Sequence, residues 1–268
     1  MQKPPISVVI ITLNAASQIE DCLRSADFAD ELILVDSGSQ DGTVEIATRL
    51  GARVVTQDWL GFGKQKQFAV AQARNDWVLC LDADERVSPE LKHSVLEAVA
   101  NPDFLAYKMP RSNRFMGRYL RHGEGYPDWS LRFFDRRHAR WSDDAVHEKI
   151  ITDVPVGRLN GDLLHDSAEN LADYLDKQNR YTSLQAEQLQ RAGKRAHLGR
   201  LLLSPALRFV RFYFFRLGFL DGLPGLVHIL IGCGNSFMKY AKLIQLSVIS
   251  AQLSAKARRE APDKTSDD

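Results

Sequence analysis

The first hundred residues alternate between short β-branched runs and stretches whose apolar residues recur at helical spacing. A helix ended by Gly51 and a helix over about residues 65–74 lie between such runs. Residues 88–90, Ser-Pro-Glu, supply a hydroxyl cap and a proline for the start of another helix. The runs that predict strands are 6–13, 31–36, 53–56 and 77–81. Repeated strand-helix units predict an α/β fold with a mostly parallel sheet covered by helices on both faces.

After residue 104 the pattern changes to shorter strand-like pieces, 104–109 and 131–134, separated by loops rich in arginine, glycine and aromatic residues. Residues 170–192 read as a polar helix, and from about residue 197 the chain is mainly helical, with apolar and basic residues interleaved. The predicted organisation is an α/β domain over 1–165 with halves at 1–100 and 101–165, a helical region over 166–254, and a charged disordered tail over 255–268.

Charge separates the helical region from the rest of the chain. The formal net charge of the 268 residues is only +1, yet residues 194–220 carry six basic residues and no acidic one. Bulky apolar residues mixed with arginine are typical of helices on an anionic membrane surface, where each charge contributes about 1 kcal/mol. A pair of buried core helices is the alternative. No uninterrupted apolar run reaches about 18 residues, so a membrane-spanning helix is not predicted.

Composition also bounds the compartment and the partners. The 44% hydrophobic content suffices for a core. The three cysteines are far apart in apolar contexts and are predicted to be reduced core residues. The apolar run at 6–13 is too short for a signal sequence, so the protein is expected to remain in the cytosol. No nucleic-acid partner is expected.

Three carboxylates follow the fourth predicted strand. Asp82 and Asp84 are two residues apart and would point to the same side of extended backbone, with Glu85 next to them. A hard cation such as Mg²⁺ or Mn²⁺, bound together with the phosphates of a substrate, would offset their repulsion. A solvated acidic turn before a helix is the alternative.

Other polar residues follow the first two predicted strands. In a parallel sheet, ligands bind outside the carboxyl ends of the strands. Asn14, Asp36 and the Asp82–Asp84 pair would therefore converge on one edge. Asp36 could accept hydrogen bonds from a base or ribose, whereas Ser39 or Asp41 could simply cap the next helix. The glycine patterns of dinucleotide-binding and phosphate-binding loops are missing from the sequence.

Three segments together resemble family 2 glycosyltransferases: residues 6–14, residues 35–43 and residues 81–85. The resemblance implies a GT-A fold, a nucleotide-diphosphate sugar donor, a divalent metal ion and inversion of the anomeric configuration. It also implies that Thr12, Asn14 and Asp36 line the nucleoside pocket and that Asp82 and Asp84 engage the ribose, the metal and the diphosphate. With neighbouring residues and those proposed on chemical grounds, the predicted donor-binding set is Thr12, Asn14, Asp36, Ser37, Lys66, Arg74, Asp82 and Ala83, and the predicted metal-binding set is Asp84, Asp82 and His147.

Sugar transfer also needs positive charge near the departing diphosphate and a base that removes the proton of the acceptor hydroxyl. Lys66 and Arg74 could supply the charge, although surface residues of a helix are equally expected there. Asp128 and Glu148 are the candidate bases, because Pro-Asp and Val-His-Glu elements similar to those around them occur in relatives that build bacterial surface glycans, and Asp128 is preferred. His147 could approach the metal or could be structural.

Residues 218–225 and 240–242 resemble the end of a narrower group, the lipopolysaccharide core β-1,4-glucosyltransferases. This resemblance implies UDP-glucose as the donor and a lipid-linked saccharide, the inner-core heptose, as the acceptor. It places the protein peripherally on the cytoplasmic face of the inner membrane. The alternatives are a glycosyltransferase for another surface glycan, a sugar nucleotidyltransferase, and a membrane-bound glycan-binding module. A nucleotidyltransferase would normally carry a glycine- and arginine-rich loop where this chain has residues 13–16.

Overall fold

The computed structural model describes residues 4–143, 148–167 and 170–260. The chain forms two compact units. The first unit comprises Met1–Phe115 and Gly125–Ser167, and the helical unit comprises Met116–Glu124 and Ala168–Asp268. The segment 116–124 thus belongs with the C-terminal helices, which the sequence pattern did not indicate.

The first unit contains the four strands that the sequence predicts within residues 1–100, further strands that it predicts in part or not at all, and helices between them. The helices are α1 (Ile19–Ser25), α2 (Thr43–Arg49), α3 (Phe62–Gln72) and α4 (Pro89–Ala100). The strands are β1 (Ile6–Thr12), β2 (Glu31–Asp36), β3 (Arg53–Thr56), β4 (Trp77–Asp82), β5 (Glu85–Val87), β6 (Ala106–Phe115), β8 (Asp128–Asp135), β9 (Ala139–Trp141), β10 (Ile150–Thr152), β11 (Val156–Arg158) and β12 (Leu163–His165); β7 (Arg118–Tyr119) lies in the segment assigned to the helical unit.

The main sheet has the order β3-β2-β1-β4-β8-β6-β12-β5. Strands β1 to β4 are parallel, β8 is antiparallel to both β4 and β6, and β12 is parallel to β6. The register pairs Thr12 with Asp36 and Ile11 with Asp82. Because of these directions, β1, β2, β4, β6 and β12 end at the same edge of the sheet at which β8 begins.

The core consists of one apolar layer on each face of this sheet. Alternate residues of β1 point to opposite faces, so Val8 and Ile10 pack with α1 and α4, whereas Val9 and Ile11 pack with α3. Ser88 caps α4 by accepting a hydrogen bond from the backbone N–H of Leu91, as predicted. Burial of each large aliphatic side chain contributes about 1.5–3 kcal/mol to the stability of the fold. This packing fixes the register of the strands, and the register sets where the polar residues at the strand ends lie.

The helical unit contains α5 (Leu171–Arg191), α6 (Leu198–Phe209), a π-helical segment (Val210–Phe215), a 3-10 turn (Gly218–Asp221) and α7 (Gly222–Glu260). Helices α5 and α6 both pack against α7. Within the described residues, no individual helix has both the length and the apolar character needed to cross a membrane. Leu198–Phe215 and Gly218–Ser250, joined at a bend of 75°, meet those two criteria only as a pair.

Candidate active site

The loops after β1 and β2 are held together by side-chain hydrogen bonds. Asn14, whose φ of +51° is in the left-handed region, accepts a bond from the backbone N–H of Gln40 (2.9 Å) through its Oδ1. Its own backbone N–H donates to the Ser39 hydroxyl (2.8 Å). Asparagine tolerates this backbone conformation better than most residues. The predicted meeting of Asn14 with the loop after β2 is therefore present in the structure.

Asp36 organises the second loop. Its buried carboxylate accepts hydrogen bonds from the backbone N–H groups of Gly38 (2.9 Å) and Ser39 (2.8 Å), and from the Ser39 hydroxyl. Ser37 next to it accepts a bond from Gln65 of α3 (3.1 Å). The Oγ1 atom of Thr12 is buried at the same edge and has no hydrogen-bond partner among the described residues. A buried hydroxyl without a partner is costly unless a ligand or water satisfies it.

Asp82 lies between two buried cations. Lys66 Nζ is 3.0 Å from its Oδ1, and Arg132 donates to its Oδ2 (2.8 Å). Arg132 also donates to the fully buried Glu85 (3.2 Å), whose other oxygen accepts the backbone N–H of Asp82 (2.9 Å). Lys66 and Arg132 both lie over the Trp141 ring, 4.8 Å and 5.3 Å from its centroid. Sequence reasoning assigned no role to Arg132 and counted Glu85 only as a neighbour of the two aspartates.

This network separates the pKa values of its two carboxylates. Burial alone would raise the pKa of Asp82, but the charges of Arg132 and Lys66 outweigh it and hold that pKa well below its usual range. Burial raises the pKa of Glu85 above its usual value against the opposing charge of Arg132, and the negative Asp82 raises it further. Asp82 is thus ionised at neutral pH and holds Lys66 and Arg132 at the sheet edge.

Asp84 has a partner that the sequence did not reveal. The Oδ2 atom of Asp84 is 3.2 Å from the Nε2 atom of His165, the last residue of β12. The other ring nitrogen of His165, Nδ1, is 2.7 Å from the side-chain oxygen of Asn113 on β6. Because the Asn113 oxygen accepts from Nδ1, Nε2 is the nitrogen that faces Asp84: a protonated Nε2 donates to that carboxylate, and an unprotonated one offers its lone pair to a cation bound beside Asp84. Nothing in the sequence marks His165 as the partner of Asp84, because it is a histidine at the end of a strand of only three residues.

We tested whether these side chains suit Mg²⁺ or Mn²⁺. No group of three or more His, Cys, Asp or Glu side chains placed to hold a metal exists among the described residues. Mg²⁺ is commonly held by one or two carboxylates plus substrate phosphates, and Mn²⁺ accepts an imidazole nitrogen as well. Asp84 and His165 fit that smaller requirement. The metal role predicted for Asp82 stays a prediction, and its two oxygens face cations here.

The two candidate bases are both paired with cations. Asp128, the first residue of β8, accepts hydrogen bonds from Nε (2.9 Å) and Nη2 (2.7 Å) of Arg111, and its side chain is 43% exposed. Glu148 lies 3.0 Å from Lys66 Nζ and is 20% exposed. Ala83 is in the turn between β4 and β5. His147 lies outside the described residues.

The expectation for Arg74 needs correction. Arg74 follows the C-terminus of α3 and precedes β4, and its backbone N–H donates to Glu31 at the start of β2 (2.9 Å). It therefore lies at the opposite edge of the sheet from Asp82. The sequence placed it between the third strand and the acidic residues, but α3 carries the chain back across the sheet before β4 begins.

Comparison with known proteins agrees with this architecture. A model of the family described as "Glycosyl transferase family 2" matches residues 7–152. The lipopolysaccharide core biosynthesis glycosyltransferase LpsC of Rhizobium meliloti is 30% identical over 258 residues, which cover 93% of this chain and 96% of LpsC. An uncharacterized glycosyltransferase of Rickettsia typhi is 33% identical over 263 residues, covering 93% of this chain and 90% of that protein.

Among solved structures, the crystal structure of S. aureus TarS residues 1–349 in complex with UDP is 14% identical to this chain. The superposition has a TM-score of 0.48 and covers 92% of each chain. The family match over more than half of the chain and the LpsC relationship confirm the resemblance that the strand-end motifs carried. The chain belongs to family 2 of the glycosyltransferases and has a GT-A-like fold with an additional C-terminal helical region.

Proposed function

We propose that the protein transfers glucose from UDP-glucose, with inversion and with Mg²⁺ or Mn²⁺, to an inner-core heptose of a lipid-linked lipopolysaccharide acceptor. The observation that carries this proposal is the meeting of Asp36, Asp82 and the Asp84–His165 pair at one edge of the sheet. Nucleotide recognition and metal binding would then occupy neighbouring strand ends, as ligands of open α/β sheets do.

The loops after β1 and β2 supply the nucleoside pocket. The Asp36 carboxylate uses three of its roughly four acceptor positions within its own loop, which leaves room for one donor from the base or ribose. The Thr12 hydroxyl gains a partner when the nucleoside is bound. Since Asp36 is already held by its loop, little side-chain entropy is lost on binding.

Asp84 and His165 would hold the metal ion. Bound there with the diphosphate, the ion would neutralise charge that develops on the departing UDP. Asn113 keeps His165 in the tautomer that has its lone pair on Nε2. Arg132 and Lys66 are neutralised by Asp82, Glu85 and Glu148, so the positive field that reaches the diphosphate from them is limited.

Asp128 would take the proton from the acceptor hydroxyl as the new bond forms. Arg111 orients this carboxylate through two hydrogen bonds and leaves it partly exposed to an incoming acceptor. Glu148 is the weaker candidate because it is bound to the buried Lys66, which also holds Asp82. A base must lie within hydrogen-bond reach of the hydroxyl, and the more exposed carboxylate meets that requirement more easily.

The acceptor class and the membrane location rest on LpsC, which is named for core biosynthesis, and on the surface of the helical unit. Phe214 is 54% exposed and Phe215 is 80% exposed. Arg211 and Arg216 flank them and are exposed as well. An anionic lipid surface fits this combination, because the aromatic rings can enter the interface while arginines meet the headgroups. We place the protein peripherally on the cytoplasmic face of the inner membrane.

A product assay tests this proposal. Purified protein is incubated with UDP-glucose or other nucleotide sugars and with truncated lipopolysaccharide acceptors. The masses of the products are then measured by mass spectrometry. We expect one added hexose on a heptose-terminated acceptor, and no addition after excess EDTA. Addition only to another surface glycan would contradict the proposed acceptor but support the proposed transferase activity. Transfer that survives EDTA would reject the metal.

A further inference from the structure

Glu85 is a buried carboxylate whose neighbours are donors on both of its oxygens. Its side chain is fully buried. Oε1 is 3.2 Å from Nη2 of Arg132 and 3.5 Å from Nη1 of Arg111, and Oε2 accepts the backbone N–H of Asp82 (2.9 Å). Sugar transfer as proposed above assigns no task to Glu85. Removing a carboxylate from water is costly, so its place between two arginines needs an explanation.

Arg111 joins Glu85 to the candidate base. The Nε and Nη2 atoms of this β6 residue both donate to Asp128 (2.9 Å and 2.7 Å), while its Nη1 atom faces Glu85. The nitrogens of a guanidinium lie in one rigid plane, so contacts on both sides fix the orientation of the whole group. Arg111 is therefore held by a buried carboxylate on one side and holds the candidate base on the other.

The two hydrogen bonds that Asp128 accepts from Arg111 end on the same oxygen, Oδ2. The other oxygen, Oδ1, accepts no hydrogen bond from any residue that the structure describes, and the side chain is 43% exposed. Oδ1 is thus the atom that can take the proton of an acceptor hydroxyl. Its position depends on Arg111, because turning the carboxylate would break both bonds to Oδ2.

Glu85 also ties this arrangement to the donor side of the site. Arg132, which contacts the same oxygen of Glu85 as Arg111 does, donates to Oδ2 of Asp82 (2.8 Å). The described pairing of β4 with β8 ends at Leu79 and Phe133. It stops short of Asp82 on one strand and of the candidate base on the other. Side-chain contacts through Glu85 therefore join two strand ends that this backbone pairing leaves apart.

We infer that Glu85 is a positioning residue for proton removal: through Arg111 it holds the Asp128 carboxylate at a fixed place relative to the donor side of the site. The inference rests on the proposed function for the role of Asp128 as the base. Glu85 itself need not touch a substrate. Misplacing a reacting group by about 1 Å can lower a rate about 10²-fold, so the loss of such an anchor should be measurable in turnover.

Transfer rates of the full-length protein test this inference, with the nucleotide sugar and acceptor that give product in the assay above. Glu85→Gln is the first variant. Its amide oxygen can still accept the Asp82 N–H, but its NH₂ group then faces the arginines, so Arg111 loses its anchor. We expect kcat to fall about tenfold or more. The KM for the nucleotide sugar and the Kd of UDP with Mn²⁺ should stay close to the wild-type values.

A double-mutant cycle with Asp128→Asn separates positioning of the base from a general structural role. If Glu85 acts through the base, Glu85→Gln should lower kcat little further once Asp128 has been replaced. A structural role would lower kcat by the same factor in both backgrounds. Equal factors in the two backgrounds, or a wild-type kcat in Glu85→Gln alone, would overturn the inference.

Glu31→Gln is the matched control. Glu31 is also mostly buried, contacts Arg53 (3.1 Å) and Arg74 (3.6 Å), and accepts the backbone N–H of Arg74, but it lies at the opposite edge of the sheet. We expect this variant to unfold more easily than the wild type and to keep the wild-type kcat. A loss of kcat equal to that of Glu85→Gln would show that any buried glutamate of the sheet has the same effect, which would overturn the inference.

Two further variants cover the case in which Glu85→Gln does not fold. Glu85→Asp keeps a negative charge beside Arg132 but is one methylene shorter, so it withdraws from Arg111, its most distant partner at 3.5 Å. Arg111→Lys keeps the positive charge, but a single ammonium cannot reproduce the planar contacts with both carboxylates. Both should lower kcat while UDP binding is kept. A wild-type kcat in either variant would overturn the inference.

The same measurements separate this inference from the proposed function. If the wild type transfers sugar and Asp128→Asn does not, but the cycle is additive, the role of Glu85 fails alone. If Asp128→Asn transfers sugar at the wild-type rate, the proposed base is wrong and the role of Glu85 falls with it. A wild type that uses no nucleotide sugar with any acceptor would contradict the proposed function as a whole.

Discussion

The two units of this chain use their apolar residues in opposite ways. In the first unit, the apolar side chains of β1, β2 and β4 are buried in two core layers, and charged side chains form a network at the strand ends. In the helical unit, α6 and the π-helical segment are half-buried or exposed along their whole described length. Folding thus accounts for the apolar pattern of β1, β2 and β4, whereas the exposed apolar residues of α6 and the π-helical segment form the surface that we propose contacts a membrane.

Because of this contrast, mutations in the two units should affect different measured properties. Changes at the strand ends of the first unit should alter chemistry or stability without affecting membrane binding. Changes in the exposed apolar residues of the helical unit should alter membrane binding without affecting the fold.

Two changes share the largest expected effect, and the first of them is Asp84→Ala. This change removes one of the two side chains that would hold the metal ion, and we expect turnover to fall by about two to four powers of ten. Thermal unfolding should change little, because Asp84 is only half-buried. Transfer rates with UDP-glucose, measured with and without EDTA, check this. Unchanged turnover in the variant would remove Asp84 from the mechanism.

The next effect distinguishes the two candidate bases. Asp128→Asn should lower the transfer rate by about 10²- to 10⁴-fold while UDP binding stays unchanged, because only proton removal is lost. Glu148→Gln is the matched variant, and we expect a smaller loss of transfer there. If Asp128→Asn retains transfer and Glu148→Gln loses it, the base is Glu148.

A stability effect is expected from Arg132→Met. The arginine is 5% exposed and is shared by Asp82 and Glu85, so its removal leaves the fully buried Glu85 and the half-buried Asp82 without that cation. We expect a loss of about 3–5 kcal/mol in the free energy of unfolding, measured by urea denaturation. Arg24→Ala breaks an exposed pair with Glu20 and should leave the unfolding free energy unchanged. Equal stabilities of the two variants would show that the network is dispensable.

The smallest effect concerns the helical unit. Phe214→Ser/Phe215→Ser should weaken binding to anionic vesicles about tenfold or more, because burying one phenylalanine contributes about 1.5–3 kcal/mol. Flotation of the full-length protein measures this. Trp59→Ser/Phe62→Ser replaces two comparably exposed aromatic residues of the first unit and should not change flotation. Equal loss in both pairs would contradict a docking surface confined to the helical unit.

Much of the first unit was predictable because its strands are uninterrupted apolar runs. The bounds of β2 and β3 match the predicted runs, and β1 and β4 differ by one residue. Strands β6 and β8 are longer than predicted, since their ends carry polar and arginine residues that pair with each other, as Arg111 does with Asp128. A hydropathy pattern cannot report pairing between charged residues that are distant in sequence.

The site was predictable only in part for the same reason. Asp36 and Asp82 end long strands and Asn14 follows one, so their convergence could be inferred from strand direction alone. His165 ends a strand of three residues whose neighbours are the distant β6 and β5. Likewise, Asp221 accepts the backbone N–H groups of Arg121 and His122, which lie about a hundred residues earlier. Such long-range contacts carry no local sequence signal.

The most direct test of the central claim, a cation held by Asp84 and His165 beside the nucleotide, is a calorimetric titration of UDP with and without Mn²⁺. The wild type and His165→Gln are compared, with His93→Gln on the exposed face of α4 as the control. We predict that Mn²⁺ strengthens UDP binding in the wild type and His93→Gln, and that His165→Gln loses most of this gain. An equal gain in all three proteins, or none in the wild type, would contradict the account.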